Sequence, residues 1–239
     1  MVLYIVRHGE PDYAADRLLD SGWEQAKKAA ARLRISGIDE IHSSPMGRAI
    51  QTAMPLAGLL SLPIIVEPWA YELGDESRTD YLTGQPHAIS SVPHSELHAK
   101  KWLGLTIEEG LEKIEALQGA SFKERYISIS QGLDSMLAEC GYPRAESGCY
   151  TISEPNDKHI ALFCHAGMQR VMLSHLYHIP FQLLGSTLMN NFTGITVLYF
   201  DSDESKRETV PVLVSYGDVG HLYDEGKQLI HYSSAGFPF

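Results

Sequence analysis

The sequence predicts an α/β protein: a three-layer α/β/α sandwich with a mostly parallel central sheet and a largely helical lid insertion. Short apolar segments rich in β-branched residues alternate with segments whose apolar residues recur at helical spacing. This β-α-β-α-β alternation is typical of a parallel sheet that is covered by helices on both faces. A block at about 75–155 interrupts the alternation, and we expect it to be an insertion into one domain, residues 1–239, rather than a second domain.

The N-terminal part contains the clearest alternation. Asp20-Ser21-Gly22 offers capping residues for a helix, and Pro45 lies where a second helix would begin. The pattern predicts strands at Val2–Val6, Ile38–His42 and Leu62–Val66, with helices at Trp23–Arg34 and Arg48–Leu60.

The C-terminal part continues the pattern after the predicted insertion. Within the insertion, Ser95–Cys140 is expected to form two helices with a break near residues 119–121. The run His159–Cys164 is apolar and short, as in a strand buried on both faces. A helix at about Met168–Tyr177 and two late strands, Gly194–Phe200 and Val210–Val214, complete the predicted fold.

Composition excludes several classes of protein. The chain has 239 residues, with 19 Lys and Arg against 30 Asp and Glu, a net charge of −11. This balance argues against a general binder of nucleic acid or of anionic membranes. The three cysteines have no CxxC spacing, which suits a reducing compartment. No signal-peptide pattern and no apolar run near the roughly 18 residues of a membrane span is seen, so we expect a cytoplasmic protein.

Basic and imidazole side chains follow three of the predicted strands. Arg7 and His8 come directly after the first strand, Arg48 lies in the first turn after the second, and His165 follows the strand that ends at Cys164. Ligands gather at the carboxyl ends of strands in a parallel α/β sheet. Two arginines and two histidines there make a suitable site for a phosphate dianion, because the guanidinium group can hold two oxygens at once. For Arg7-His8-Gly9 alone, a solvated arginine beside a structural histidine is an equally good interpretation.

Taken together, these motifs resemble the histidine phosphatase superfamily, the phosphoglycerate-mutase-like group. The resemblance spreads over about 165 residues in the family's order, and Gly220-His221-Leu222 is similar to the family's C-terminal end. The motifs that carry it are Arg7-His8-Gly9-Glu10, Leu19…Gly22…Gln25-Ala26, Ser43–Ala53, Glu72 and His165-Ala166-Gly167.

The resemblance implies a phosphohistidine mechanism. His8 would attack phosphorus, while Arg7, Arg48 and His165, with Ala166 beside it, would hold the phosphoryl oxygens. Glu72 would protonate the leaving oxygen and then activate water; Glu67, Asp75 and Glu76 compete for this role. No metal and no cofactor is implied.

One stretch departs from the family. After Glu10 the family often has Thr or Ser and then an Asn that helps to bind phosphate, whereas this chain has Pro11-Asp12-Tyr13. That contact is therefore missing or replaced, which puts the substrate in doubt more than the reaction.

The predicted function is a metal-independent phosphatase acting on a small phosphomonoester, with the lid insertion setting specificity. A phosphoglycerate-type mutase and a non-catalytic binder of a phosphorylated ligand are the alternatives. Among the insertion's basic residues, only Lys100-Lys101 forms a pair that could attract an anionic substrate tail. The sequence does not identify the substrate or the oligomeric state.

Two further candidates have simpler interpretations. His94 and His98 lie four residues apart, but the order is not HExxH, so a surface face is favoured over a metal site. Cys164 adjoins His165, yet neighbouring residues of a strand point in different directions, so we expect a buried thiol rather than a nucleophile.

Overall fold

A six-stranded sheet forms the centre of the protein in the computed structural model, which describes residues 1–73, 102, 104–113, 122–185, 187–203, 205–224 and 227–228. The sheet strands are β1 (Val2–Arg7), β4 (Glu40–Ser43), β5 (Ile64–Val66), β7 (His159–Cys164), β8 (Ile195–Tyr199) and β10 (Val212–Asp218). Two-residue strands pair outside it: β2 (Pro11–Asp12) with β3 (Arg17–Leu18), β6 (Tyr150–Thr151) with β9 (Glu208–Thr209), and β11 (Tyr223–Asp224) with β12 (Lys227–Gln228). The helices are α1 (Asp20–Arg34), α2 (Gly47–Leu60), α3 (Ile107–Lys113), α4 (Phe122–Glu139), α5 (Ala166–Tyr177) and α6 (Phe181–Gly185), with a 3₁₀ turn at Gly220–Leu222.

The strand order is β10-β8-β1-β7-β4-β5. The pairs β1–β7, β7–β4 and β4–β5 are parallel, whereas β8 runs antiparallel to both β1 and β10. The predicted α/β class with a mostly parallel sheet is therefore confirmed, and the two late strands form its antiparallel edge.

Alternating side chains of the inner strands enter two separate hydrophobic clusters. Ile160, Leu162 and Cys164 of β7 pack with α4 and α5 on one face, whereas Ala161 and Phe163 pack with α1 and α2 on the other. Because both faces of the strand are buried, its sequence is a continuous apolar run rather than an alternating one. Helices thus cover both faces of the sheet, as the sequence predicts.

Element boundaries differ by a few residues from those predicted. Helix α1 begins at Asp20 rather than Trp23, because Asp20-Ser21-Gly22 forms its first turn instead of preceding it. Helix α5 likewise begins at Ala166, directly after the strand, and β10 extends to Asp218. In the predicted insertion, α3 and α4 lie on either side of the expected break, and the candidates His94, His98, Lys100 and Lys101 lie outside the described residues.

Candidate active site

The carboxyl ends of three neighbouring strands bring the predicted site residues together. In the sheet register, Arg7 of β1 lies beside Cys164 of β7, and Ser43 of β4 lies beside Phe163. The His8 amide donates a hydrogen bond to the Cys164 carbonyl at 2.9 Å, which continues the ladder for one more residue. The residues that follow each strand therefore share one edge of the sheet.

His8 is buried at this edge, with 1% of its surface exposed. Its ring centroid lies 5.2 Å from that of His165 and 5.7 Å from that of Phe192. Its Nδ1 lies 2.7 Å from the Gly9 carbonyl oxygen. A carbonyl oxygen only accepts hydrogen bonds, so Nδ1 carries the proton and Nε2 keeps a free lone pair.

The pKa of His8 lies well below its usual value. Burial contributes most to this shift, followed by the positive charges of Arg7 and Arg48. The imidazole is therefore neutral over the physiological pH range, which is the form that a nitrogen nucleophile requires.

Gly9 allows the backbone next to His8 to lie close to the backbone of helix α1. A Cβ atom at this position would lie 2.7 Å from the carbonyl oxygen of Gly22 in α1. Because that contact is with backbone, it could be relieved only by moving the strand end or the helix. The glycine thus lets the His8 loop lie directly against α1.

Arg7 is held by the loop that precedes β8. Its Nη1 donates to the Asn190 carbonyl, and its guanidinium carbon lies 4.2 Å above the Phe192 ring centroid. Its Nε is buried and has no hydrogen-bond partner within the described part of the chain. The guanidinium group is thus fixed in place with a donor still available.

Arg48 is oriented by an acidic side chain that the sequence analysis did not single out. Asp16 Oδ1 accepts a hydrogen bond from Arg48 Nη1 at 2.6 Å, and Asp16 Oδ2 accepts one from the Gly47 amide at 2.7 Å. Asp16 therefore caps the N-terminus of α2 and positions the arginine at the same time. Arg48 Nε, like that of Arg7, is buried without a partner among the described residues.

His165 is fully buried and precedes the first turn of α5. Its Nε2 lies 2.8 Å from Ser44 Oγ, and the Met46 amide donates a hydrogen bond to the same Oγ at 3.2 Å. Burial and the charges of neighbouring Arg48, His8 and Arg7 lower the pKa of His165 well below its usual value. Its Nδ1 is buried and, within the described residues, has no hydrogen-bond partner.

Glu72 lies at the N-terminus of α5. Its Oε1 accepts hydrogen bonds from the Leu73 amide at 2.8 Å and the Met168 amide at 3.0 Å, and its Oε2 has one longer contact, 3.4 Å from the Gly167 amide. Glu72 is thus held on the helix that follows His165, with Oε2 the less engaged oxygen.

The competing candidates either have other contacts, are buried in the core, or fall outside the described residues. Glu67 is occupied by His42 and Trp69, at 2.7 Å and 2.6 Å, and Asp75 and Glu76 lie outside the described residues. Cys164 is fully buried, and burial raises the pKa of its thiol far above the usual value, which agrees with an inert core cysteine.

Two residues that shape the site give no signal in the sequence. Asn190 contacts Arg7 and Phe192 contacts His8, both from the loop before β8. Among the described residues, no group of three or more His, Cys, Asp or Glu side chains is arranged to hold a metal ion, and no helix is long and apolar enough to cross a membrane.

Comparisons with known proteins agree with this architecture. Residues 3–74 match the model of the histidine phosphatase superfamily, branch 1. A probable phosphoglycerate mutase GpmB from Enterobacter sp. (strain 638) is 38% identical over 147 residues, which cover 58% of this chain and 62% of that protein. The chain thus matches less than two thirds of that relative's length.

Solved structures extend the similarity of fold to nearly the whole chain. Phosphoserine phosphatase from Entamoeba histolytica, in complex with 3-phosphoglyceric acid, has a TM-score of 0.60 at 19% identity, covering 93% of this chain and 99% of that one. The alpha-ribazole phosphatase from Shigella flexneri has a TM-score of 0.56 at 18% identity, covering 90% and 96%. The residues of β1, α1 and α2 thus match the histidine phosphatase superfamily, branch 1, and the two solved phosphatases share the fold over most of the chain.

Proposed function

We propose that the protein is a metal-independent phosphatase that hydrolyses a small phosphomonoester through a phosphohistidine at His8. One observation carries the proposal. The buried, neutral imidazole of His8 has an unprotonated Nε2 and lies beside Arg7, Arg48 and His165. Each of these three side chains has a buried nitrogen with no hydrogen-bond partner among the described residues. Buried polar atoms are rarely left unpaired, so these nitrogens indicate a ligand that accepts hydrogen bonds. A phosphoryl group supplies such oxygens together with the negative charge.

In the first step, His8 Nε2 attacks phosphorus as the bond to the leaving oxygen breaks. The Nδ1–H group donates a hydrogen bond to the Gly9 carbonyl oxygen. This hydrogen bond stabilises the positive charge that develops on the phosphorylated ring. Arg7, Arg48 and His165 hold the phosphoryl oxygens, with the Ala166 backbone beside them, and offset their charge during transfer. Glu72 gives its proton to the leaving oxygen.

In the second step, Glu72 takes a proton from water as the water oxygen attacks phosphorus. The P–N bond breaks, orthophosphate leaves, and His8 returns to its neutral form. Covalent transfer thus divides one difficult displacement into two easier ones. Glu72 serves as acid and then as base because the two steps are chemically the reverse of each other.

The direct test is phosphate release from a panel of phosphomonoesters in the presence of excess EDTA. We expect turnover that EDTA leaves unchanged, and a transient phosphoenzyme that survives alkali and is lost in acid, as a P–N bond requires. Release that EDTA abolishes, or turnover without any phosphoenzyme, would contradict the proposal.

A phosphoglycerate-type mutase is the second candidate, because the relative named above is called a probable phosphoglycerate mutase. A mutase returns the phosphoryl group from His8 to a substrate hydroxyl rather than to water. Conversion of 3- to 2-phosphoglycerate with a bisphosphoglycerate primer, measured beside phosphate release, separates the two activities. A non-catalytic binder of phosphorylated ligands, the third alternative, would bind orthophosphate without forming a phosphoenzyme.

We predict that Asp16→Asn weakens the binding of orthophosphate, measured by competitive inhibition, by about 10-fold. An asparagine tolerates the left-handed backbone of Asp16, at φ 47°, but loses the charge and cannot accept from both Arg48 and Gly47 with the same geometry.

Asp12→Asn is the matched control, because Asp12 pairs with Arg17 at 3.5 Å on the surface of the same hairpin. We expect this control to stay within twofold of the wild type, since exposed ion pairs contribute little. Equal inhibition constants for the two variants would show that Asp16 does not position Arg48.

A further inference from the structure

The segment after Glu10 forms a short hairpin beside the candidate site. Strands β2 and β3 pair Pro11 with Leu18 and Asp12 with Arg17, so the turn comprises residues 13–16. The turn is fixed at its far end, where Asp16 hydrogen-bonds both Gly47 and Arg48. The hairpin is thus tied to the same helix N-terminus that provides Arg48.

Tyr13 begins this turn and contacts three of the predicted site residues. Its ring lies edge-on to His8, with centroids 6.2 Å apart and planes at 88°, and its ring centroid is 5.5 Å from the guanidinium carbon of Arg48. Its side chain also interacts with Arg7, where it opposes the lowering of the Arg7 pKa by burial. Tyr13 is 38% exposed, whereas Arg7, His8 and Arg48 are at most 6% exposed, so Tyr13 covers the buried cluster on its solvent side.

We propose that Tyr13 is a further substrate-binding residue, whose hydroxyl donates a hydrogen bond to a phosphoryl oxygen held by Arg7 and Arg48. This inference rests on the proposed function, because it requires a phosphoryl group at His8. It assigns to Tyr13 the contact that the superfamily often makes through polar side chains after Glu10. Pro11 and Asp12, which precede Tyr13, pair with Leu18 and Arg17 in the hairpin.

The chemistry of the phenol fits this role. A phenolic hydroxyl can accept a hydrogen bond from an arginine through a lone pair and donate its own proton at the same time. A phosphoryl oxygen bound by Arg7 and Arg48 is a strong, charged acceptor for that proton. The ring simultaneously packs against the Arg48 guanidinium, which orients that side chain.

Two substitutions separate the hydroxyl from the ring. Tyr13→Phe removes the donor but keeps the ring that packs against His8 and Arg48, whereas Tyr13→Ala removes both. Tyr4→Phe is the matched control, because it removes a hydroxyl that hydrogen-bonds His159 Nδ1 at 3.2 Å, within the sheet and away from its carboxyl edge.

The experiment measures the affinity of the full chain for orthophosphate by calorimetry, together with KM and kcat for a phosphomonoester and the thermal unfolding of each variant. For Tyr13→Phe we expect affinity to fall about 10- to 100-fold, as for one lost hydrogen bond to a charged group, with an unchanged unfolding temperature. For Tyr4→Phe we expect an unchanged affinity. A larger loss is expected for Tyr13→Ala, because Arg48 also loses its packing.

The outcomes distinguish this inference from the proposed function. If Tyr13→Phe binds orthophosphate within twofold of the wild type, Tyr13 is not a phosphate ligand, even where hydrolysis through His8 proceeds normally. If the wild type binds orthophosphate but forms no phosphoenzyme, the phosphatase proposal fails. The Tyr13 contact is then still tested by comparing the orthophosphate affinities of the wild type and Tyr13→Phe. Absence of orthophosphate binding by the wild type would overturn both.

Discussion

Replacing His8 with alanine is expected to lower phosphomonoester turnover by about 10⁴-fold or more, the scale seen when a covalent nucleophile is removed. The physical reason is that Nε2 is the atom that would form the bond to phosphorus, and the neighbouring arginines can bind the phosphoryl group but cannot accept it. Orthophosphate binding should persist in His8→Ala, because Arg7 and Arg48 are held by Asn190 and Asp16 rather than by His8. Turnover and the yield of phosphoenzyme are the measurements.

His159→Ala is the matched control. His159 is the first residue of β7, so it lies at the amino end of the strand whose carboxyl end precedes His165. We expect it to retain activity and phosphoenzyme. Residual phosphoenzyme in His8→Ala, or a loss of turnover under tenfold, would mean that another group attacks phosphorus.

The same prediction has a pH dependence with a definite sign. Burial and two neighbouring arginines hold the pKa of His8 well below its usual value, so the imidazole is protonated less near pH 6.5 than a histidine with an ordinary pKa. Protonation of a histidine with an ordinary pKa would instead remove the nucleophile near that pH. We therefore expect the rate of phosphoenzyme formation, measured in single turnovers, to show no acid loss centred near pH 6.5.

The strand ends explain why much of the site was predictable from sequence. Arg7, His8 and His165 follow apolar runs that are buried on both faces, and the carboxyl ends of parallel strands meet at one edge whatever the detailed register. The positions of these residues along the chain therefore determine their proximity. Arg48 follows the same logic, because a helix begins directly after its strand.

Residues that act through loops were not predictable in this way. Asn190 contacts Arg7 although the two residues are 183 positions apart in the chain. Asp16 contacts Arg48 from the turn of the short β2–β3 hairpin, where Asp16 has a left-handed backbone conformation. No periodic pattern indicates either contact. The antiparallel direction of β8 was equally hidden, because an apolar run has the same composition in either direction. The predicted lid insertion at about 75–155 remains a prediction.

Gly167 offers a way to move Glu72 without changing it. A Cβ atom at Gly167 would lie 2.6 Å from Glu72 Oε1 and 3.2 Å from the Leu73 Cβ, so Gly167→Ala must displace the carboxylate from the α5 N-terminus. We expect turnover to fall by about 10²- to 10⁴-fold, the usual contribution of a positioned acid–base group. Gly58→Ala is the matched control, because its Cβ would meet no atom within 4 Å and alanine favours the helix.

The leaving group decides whether the loss in Gly167→Ala comes from acid catalysis. An alkyl phosphate releases a strongly basic oxygen that needs a proton as its bond to phosphorus breaks, whereas a nitrophenyl phosphate releases a weakly basic one. If Glu72 supplies that proton, Gly167→Ala and Glu72→Gln should both slow the alkyl ester far more than the nitrophenyl ester in the phosphorylation step. An equal loss for both esters would instead indicate a disturbed phosphate pocket, and the proton donor would then have to be sought among other carboxyl groups near His8.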